Sequence, residues 1–341
     1  MYGLFLAFAA AVLFAASVPA SQLLLQYFTP LQLAGLLYLG AAAGMAPVVS
    51  TERRRFGRVA LDGANRMRLA GMVILGGIVA PILLLAAFRF ATAGTVGLLL
   101  NFEVVATAVL GAVLFQEHMG RGAWVGVIGV VAASALLCGT AGGSNAIAAL
   151  LVAAACTCWG IDNLLAAMID GMTPARSTLW KGAVAGVTNL TLGVAAGALR
   201  ASAAAVVAAI VVGAVSYGAS IALHTAAAQR VGAVRAQGVF ASAPFVAALL
   251  SLAIFGEPVT GLQAAAAVLF VISVVALVAT EHEHPHRHSP LEHLHAHSHD
   301  DDHHRHEHAE VVTSEHTHWH RHEPEVHAHP HWPDLHHRHP H

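Results

Sequence analysis

Long apolar runs constrain this chain more than any other feature. A helix that crosses a bilayer needs ~20 mostly apolar residues. The sequence offers ten such stretches, at about 2–22, 30–49, 69–89, 95–115, 121–139, 147–168, 176–198, 204–228, 235–255 and 261–280. The breaks between them are short and carry Pro, Gly or charge: Thr29-Pro30, an Arg-rich loop over 52–68, Gly120-Arg121, Gly142-Gly143, Thr173-Pro174, Arg200, Gly232 and Pro258. The turn from Arg89 to Ala93 makes the third and fourth stretches a tight hairpin. The first stretch ends in ASVPAS, small residues that suit a leader cleavage site, but no basic segment precedes it, and it is read as a retained helix.

Charge supports the same class. Only 11% of the residues are Asp, Glu, Lys or Arg, against roughly 25% in soluble domains. The distribution is uneven. Residues 1–280 hold seven acids and 13 of the 17 Lys and Arg, whereas the last 61 residues hold twelve acids, four Arg and 23 of the 25 His. The chain is therefore an apolar body followed by a hydrophilic tail.

The body repeats itself. LLLNFEVVATAVLGAVLFQE (Leu98 to Glu117) has an echo 140 residues on, GVFASAPFVAALLSLAIFGE (Gly238 to Glu257). Ala108/Ala248, Leu110/Leu250, Phe115/Phe255 and Glu117/Glu257 match, and the same offset pairs Leu24-Leu25 with Leu164-Leu165. Two copies of five spans insert with opposite topology, because five is odd. Inverted repeats with a midplane site between them are the plan of many secondary transporters. Lys and Arg of short loops favour the cytoplasm. With the N-terminus placed there, inside loops collect eleven basic residues and outside loops only Arg89 and Arg200. The tail then returns to the cytoplasm.

Ten spans in two five-helix halves, the fourth of each closing in a Glu, resemble the EamA-type transporters of the drug/metabolite transporter superfamily. Ala243-Pro244-Phe245 with Glu257 twelve residues after Phe245 is similar to that family's ninth-helix pattern, and Trp159-Gly160 to its recurring Trp-Gly element. LLLNFE, WGIDN (Trp159 to Asn163), WKG (Trp180 to Gly182) and the His-rich end PDLHHRHPH resemble a bacterial subgroup. The resemblance covers residues 1–280. It implies an all-α integral membrane protein with ten transmembrane helices in two inverted halves, 1–140 and 141–280, in a bacterial plasma membrane. It also implies secondary transport, without a substrate. One position departs: the proline present as Pro244 has no counterpart in the first half, where Glu103-Val104 stands.

Polar residues inside the spans are the candidate transport residues. Glu103 lies in the middle of the fourth stretch. A carboxylate there costs ~2.5–3.5 kcal/mol to insert and so faces a bundle interior. It is read as a proton- or cation-coupled site, or alternatively as a lock between helices. Asp162 and Asn163 follow Trp159, with Trp159 and Asn163 on one helix face; cavity lining is favoured over capping. His224 is either a packing residue or part of a relay. Asn101 and Asn189 are read chiefly as interhelical hydrogen-bonders, with Asn101 kept among the candidates. Lys181, the only lysine, either snorkels to the cytoplasmic face or pairs with an intramembrane acid. Glu117 and Glu257 are read as helix-end capping residues. Cys138, Cys156 and Cys158 fit neither a zinc pair nor a redox motif and read as small packing residues.

From Glu281 the chain alternates His with other residues: HEHPHRH, HLHAHSHDDDHHRHEH, HTHWHRH, HAHPHW. Its polar, Pro-punctuated composition predicts disorder. His282, His284, His286, His288, His293, His295, His297, His299, His303, His304, His306 and His308 are candidate ligands for Zn, Ni, Co or Cu.

No nucleophilic triad, phosphate-binding loop or ATPase motif is present, so an enzyme, a primary pump or a nucleic-acid partner is not expected, and no cofactor is required. The leading reading is a secondary transporter of a small solute, proton-coupled through Glu103, with a metal-binding regulatory tail. A divalent-metal transporter is the alternative, and a membrane-anchored metal buffer or sensor the third. A homodimer is compatible with all three.

Overall fold

The computed structural model describes residues 2–56, 62–115, 121–139, 143–169, 172–256, 260–278 and four short tail segments. Glu117, Glu257, His282, His288, His299, His303, His304, His306 and His308 lie outside the described residues.

In the first half the helices are α1 (Tyr2–Ala15), α2 (Ser17–Leu24), α3 (Pro30–Phe56), α4 (Gly63–Gly71), α5 (Ala80–Ala87), α6 (Ala93–Leu99), α7 (Phe102–Phe115) and α8 (Arg121–Gly139). In the second they are α9 (Gly143–Met168), α10 (Pro174–Ala196), α11 (Ala203–Val212), α12 (Ser220–Val231), α13 (Ala233–Phe240), α14 (Ala243–Phe255) and α15 (Gly261–Val278). Helices satisfy every interior backbone group within the segment, the requirement that hydrocarbon imposes. Among the described residues, seven helical stretches are long and apolar enough to cross a membrane. The other three expected spans correspond to α8, α10 and α15. The first and last are just 19 and 18 residues long, and α10 carries Arg176, Lys181 and Asn189.

The 140-residue repeat is visible in the elements. Gly63 and Ala203, Ala93 and Ala233, and Arg121 and Gly261 begin corresponding helices. The irregularities repeat too. The runs Gly63–Ala87 and Ala203–Val231 each contain a π-helical stretch, Met72–Val79 and Gly213–Ala219. The fourth helix of each half is broken, between α6 and α7 and between α13 and α14.

Packing is symmetric under exchange of the halves. α3 packs on its counterpart α10, and α8 on its counterpart α15. α6 packs against α14 just as α13 does against α7, and α1 meets α12 as α9 meets α5. Small residues allow the closest of these approaches. A Cβ on Gly182 would sit 2.7 Å from the Tyr38 carbonyl oxygen and 2.8 Å from the Ala42 nitrogen, so α3 and α10 meet backbone to backbone. Large apolar side chains such as Phe5, Val125, Leu150, Val207 and Val275 remain on the outside, as lipid contact requires.

The described residues of the tail are extended. Four segments of it are strands: β1 (Glu283–Arg287), β2 (Leu291–His297), β3 (His316–His322) and β4 (Val326–Pro330). β1 pairs antiparallel with β4, and β2 with β3. The register sets His293 opposite His320, His295 opposite His318, and His297 opposite His316. It also sets His284 opposite His329 and His286 opposite His327.

Candidate functional site: a buried polar cavity at the broken helices

Two breaks at equivalent places open the centre of the bundle. α6 begins with Thr92 capping the Thr95 amide and ends at Leu99; after Leu100 and Asn101 the chain resumes as α7, with Glu103 in its first turn. An acid in that position meets the positive end of the helix dipole. In the second half the chain breaks at Ala241 and Ser242 and resumes with Ala243-Pro244, where proline is pre-shaped for a first helical turn. Thus the first copy starts its second piece with a carboxylate and the second copy with a proline.

Glu103 does not stand alone. Asn163 Nδ2 donates to Glu103 Oε1 at 2.9 Å and to Gln237 Oε1 at 3.1 Å, with Thr107 Oγ1 at 3.4 Å. An amide NH2 has two hydrogens, so three acceptors compete for them. Asn163 of α9 therefore joins Glu103 and Thr107 of α7 to Gln237 of α13, and all four are buried, as is His224 of α12. Asp162, one residue before Asn163, forms an ion pair with Lys181 of α10. Both are buried, and Oδ1 of Asp162 and Nε2 of His224 have no hydrogen-bond partner.

The first π-helical stretch frames this cluster. The Gly76 carbonyl accepts from Tyr38 Oη at 2.5 Å and from Trp159 Nε1 at 3.1 Å, and the Gly77 carbonyl accepts from Asn189 Nδ2 at 3.0 Å. Asp162 lies directly over Gly76, where a Cβ would collide with its carboxyl group. Gly76 is there because the acid needs the room.

A cavity of about 530 Å³ of atom-free space, part of it open to solvent, joins these groups. Glu103, Trp159, Asp162, Asn163, Lys181 and His224 all line it, together with Phe14, Tyr38, Tyr217 and Phe240. Six of the seven transport candidates named from sequence thus come together. Asn101 stands apart, on a smaller neighbouring pocket that also touches Glu103, Gln237 and Pro244; its Nδ2 donates to the Leu98 carbonyl within the break. Lys181 is buried against an acid and does not snorkel. Cys156 packs with Sγ 3.8 Å from the Leu100 carbonyl, and both it and Cys158 are free thiols.

Sequence reasoning missed Gln237, Thr107, Tyr38 and Tyr217. Gln237 was the legible one, a polar side chain inside an apolar run. It falls two residues after Arg235, and so reads as part of a helix end. The tyrosines carry no such signal, because an apolar helix tolerates the ring and only tertiary packing fixes the hydroxyl.

A helical, multi-pass membrane bundle with a pseudo-symmetric pair of broken helices around a polar cavity defines the class. The chain belongs to the EamA-like transporter family, whose model matches residues 1–139 and again 146–279. A solved crystal structure of a protein 15% identical to this chain has the same fold, with a TM-score of 0.62 over 81% of this chain and 96% of the other. No match is found among curated proteins.

Proposed function

We propose that this chain is a secondary active transporter of a small solute, that the cavity at the broken helices is its binding site, and that Glu103 carries the coupling proton. The convergence of Glu103, Asn163, His224, Asp162 and Lys181 on one cavity, with Gln237 bonded to Asn163 beside it, supports this reading. Buried ionisable groups in a bundle interior mark ion and substrate pathways, and discontinuous helices at corresponding places of two halves point to the site. Ten spans, inverted halves, and an N-terminus and tail in the cytoplasm of a bacterial plasma membrane complete the proposal. Glu103 exchanges its proton with solute or water in the cavity, and the competing acceptors around Asn163 allow its amide to re-pair when the carboxyl group changes state.

The tail is proposed to bind divalent metal on the cytoplasmic side. The composition of the tail supports this reading, because neutral imidazoles with interleaved carboxylates suit such ions. Metal as the transported substrate stays second: among the described residues no group of three or more His, Cys, Asp or Glu could hold a metal ion.

A thermal-shift screen of solutes on the purified full chain, with and without the tail, identifies the solute. Uptake of that solute into proteoliposomes under a proton gradient is then expected to collapse in Glu103→Gln. Undiminished uptake removes Glu103 from the mechanism. Truncation after Thr280 tests the tail, and unchanged Zn, Ni and Co tolerance and metal content in cells would end its metal role.

A further inference from the structure

The cavity's walls carry chemistry beyond a coupling proton. Phe14 touches three other rings: Trp159 edge-on at 6.2 Å between centroids, Tyr217 at 5.9 Å and Phe240 at 5.5 Å. Tyr38 stands edge-on to Tyr217 at 5.3 Å, and His224 to Phe240 at 4.7 Å. The result is a continuous aromatic wall around the space into which two carboxyl groups project. Among the described lining residues the only permanent cation is Lys181, and Asp162 already holds it. That leaves Glu103 without a charged partner. It also leaves Asp162 Oδ1 buried, with no hydrogen-bond partner, at the cavity.

We infer that the transported solute is a small organic cation, an ammonium group on an apolar body, seated against the aromatic wall with its charge towards Glu103 and Asp162. The inference rests on the proposed transport site. Aromatic faces attract a cation within about 6 Å of the ring centroid, and more strongly once water is removed. An anionic solute would meet two carboxyl groups and a lysine that is already paired. A neutral solute can donate to Asp162 Oδ1 but brings no charge for the aromatic wall or Glu103 to match. A cation satisfies both the wall and the acids.

The test separates charge from shape. Choline, 3,3-dimethyl-1-butanol and 3,3-dimethylbutanoate share a tert-butyl-like head and differ in charge. Equilibrium dialysis on the purified full chain is expected to show choline bound at least about tenfold more tightly than either isostere, a difference of about 1.4 kcal/mol. Trp159→Leu is expected to remove that preference. So is Asp162→Asn combined with Lys181→Met, which removes the acid without orphaning the lysine and keeps the net charge; both variants should elute from gel filtration as the parent does. Isosteres that bind as tightly as choline overturn the inference, as does a Trp159→Leu variant that weakens all three probes equally. The transport reading fails separately. Proton-driven uptake of a neutral or acidic solute, with no preference for choline, overturns the cation and leaves transport standing. Choline that binds with the expected preference but is never moved across proteoliposomes overturns transport and leaves the cation site standing.

Discussion

The broken helix of the first half and its counterpart in the second solve one problem with different residues. Both interrupt within one residue of the same point of the repeat, at Leu100-Asn101 and at Ala241-Ser242, the counterparts of Asn101-Phe102. Each passes its first piece along the second piece of the other. After the break the first copy places Glu103 and the second places Ala243-Pro244. Proline is the familiar cause of a helix interruption, yet the first half breaks without one. The break therefore belongs to the packing of two helices across the pseudo-symmetry axis, and each copy is free to use its first turn differently. One copy uses it for shape and the other for chemistry. The asymmetry continues elsewhere: Glu103 comes from the first half, and its partners Asn163 and Gln237 from the second. Neither half can form the site alone.

The largest effect should follow from removing the chemical side of that comparison. Glu103→Gln keeps the shape and the hydrogen bond to Asn163 but cannot release a proton. Proton-driven uptake is expected to fall by more than about tenfold, equivalent to at least about 1.4 kcal/mol, while thermal stability changes little. Moving the acid across the symmetry, as Glu103→Ala with Ala243→Glu, should not restore uptake, because Asn163 and Gln237 are placed to serve only the first-half position. Restored uptake would mean that the two breaks are chemically equivalent and that the asymmetry has no function.

The second comparison is between the two acids. Glu103 is bonded to neutral partners, whereas Asp162 is paired with Lys181. Breaking a buried pair by removing one partner costs about 3–5 kcal/mol, because a buried charge is left uncompensated. Lys181→Met alone should therefore lower the melting temperature sharply, and adding Asp162→Asn should recover most of the loss. A single variant as stable as the parent would mean that Asp162 is already neutral or finds water.

Much of this was legible, for physical reasons. A run of ~20 apolar residues admits few structures in lipid, so the helices and the repeat could be read directly. Glu103, Asp162, Asn163 and His224 were conspicuous because polar groups are costly there. What could not be read was pairing. Lys181 near a helix start gives the same sequence signal whether it snorkels or turns inward; only the approach of α9 to α10 decides. The π-helical stretches were equally silent, since no residue type demands them, and the structure shows them through the carbonyls of Gly76 and Gly77 that they present to Tyr38, Trp159 and Asn189.

Those glycines give a smaller effect. Gly76→Ala puts a methyl group against the Asp162 carboxyl, and overpacking of this kind costs about 1–3 kcal/mol. The same change at Gly63, the first residue of α4, where a Cβ meets nothing within 4 Å, should cost less than about 1 kcal/mol and serves as the control. Equal melting temperatures in the two variants would show that Asp162 yields and that its position over Gly76 is not constrained.

The smallest effect returns to the proline. If packing across the axis sets both breaks, Pro244 only pre-shapes the first turn of α14. Its removal then acts mainly by freeing the unfolded chain, a change of about 0.4–1 kcal/mol. Pro244→Ala should lower stability by that much and leave the break in place. Hydrogen exchange at Ala241 and Ser242, whose amides bond to Gln237 and Val239, should be unchanged. If the residues around Ser242 instead become as protected as a helix interior, the proline makes the second break, and the two copies reach similar shapes by separate causes. The first-half break, which forms without proline, makes that outcome the less economical one: one packing arrangement accounts for two breaks.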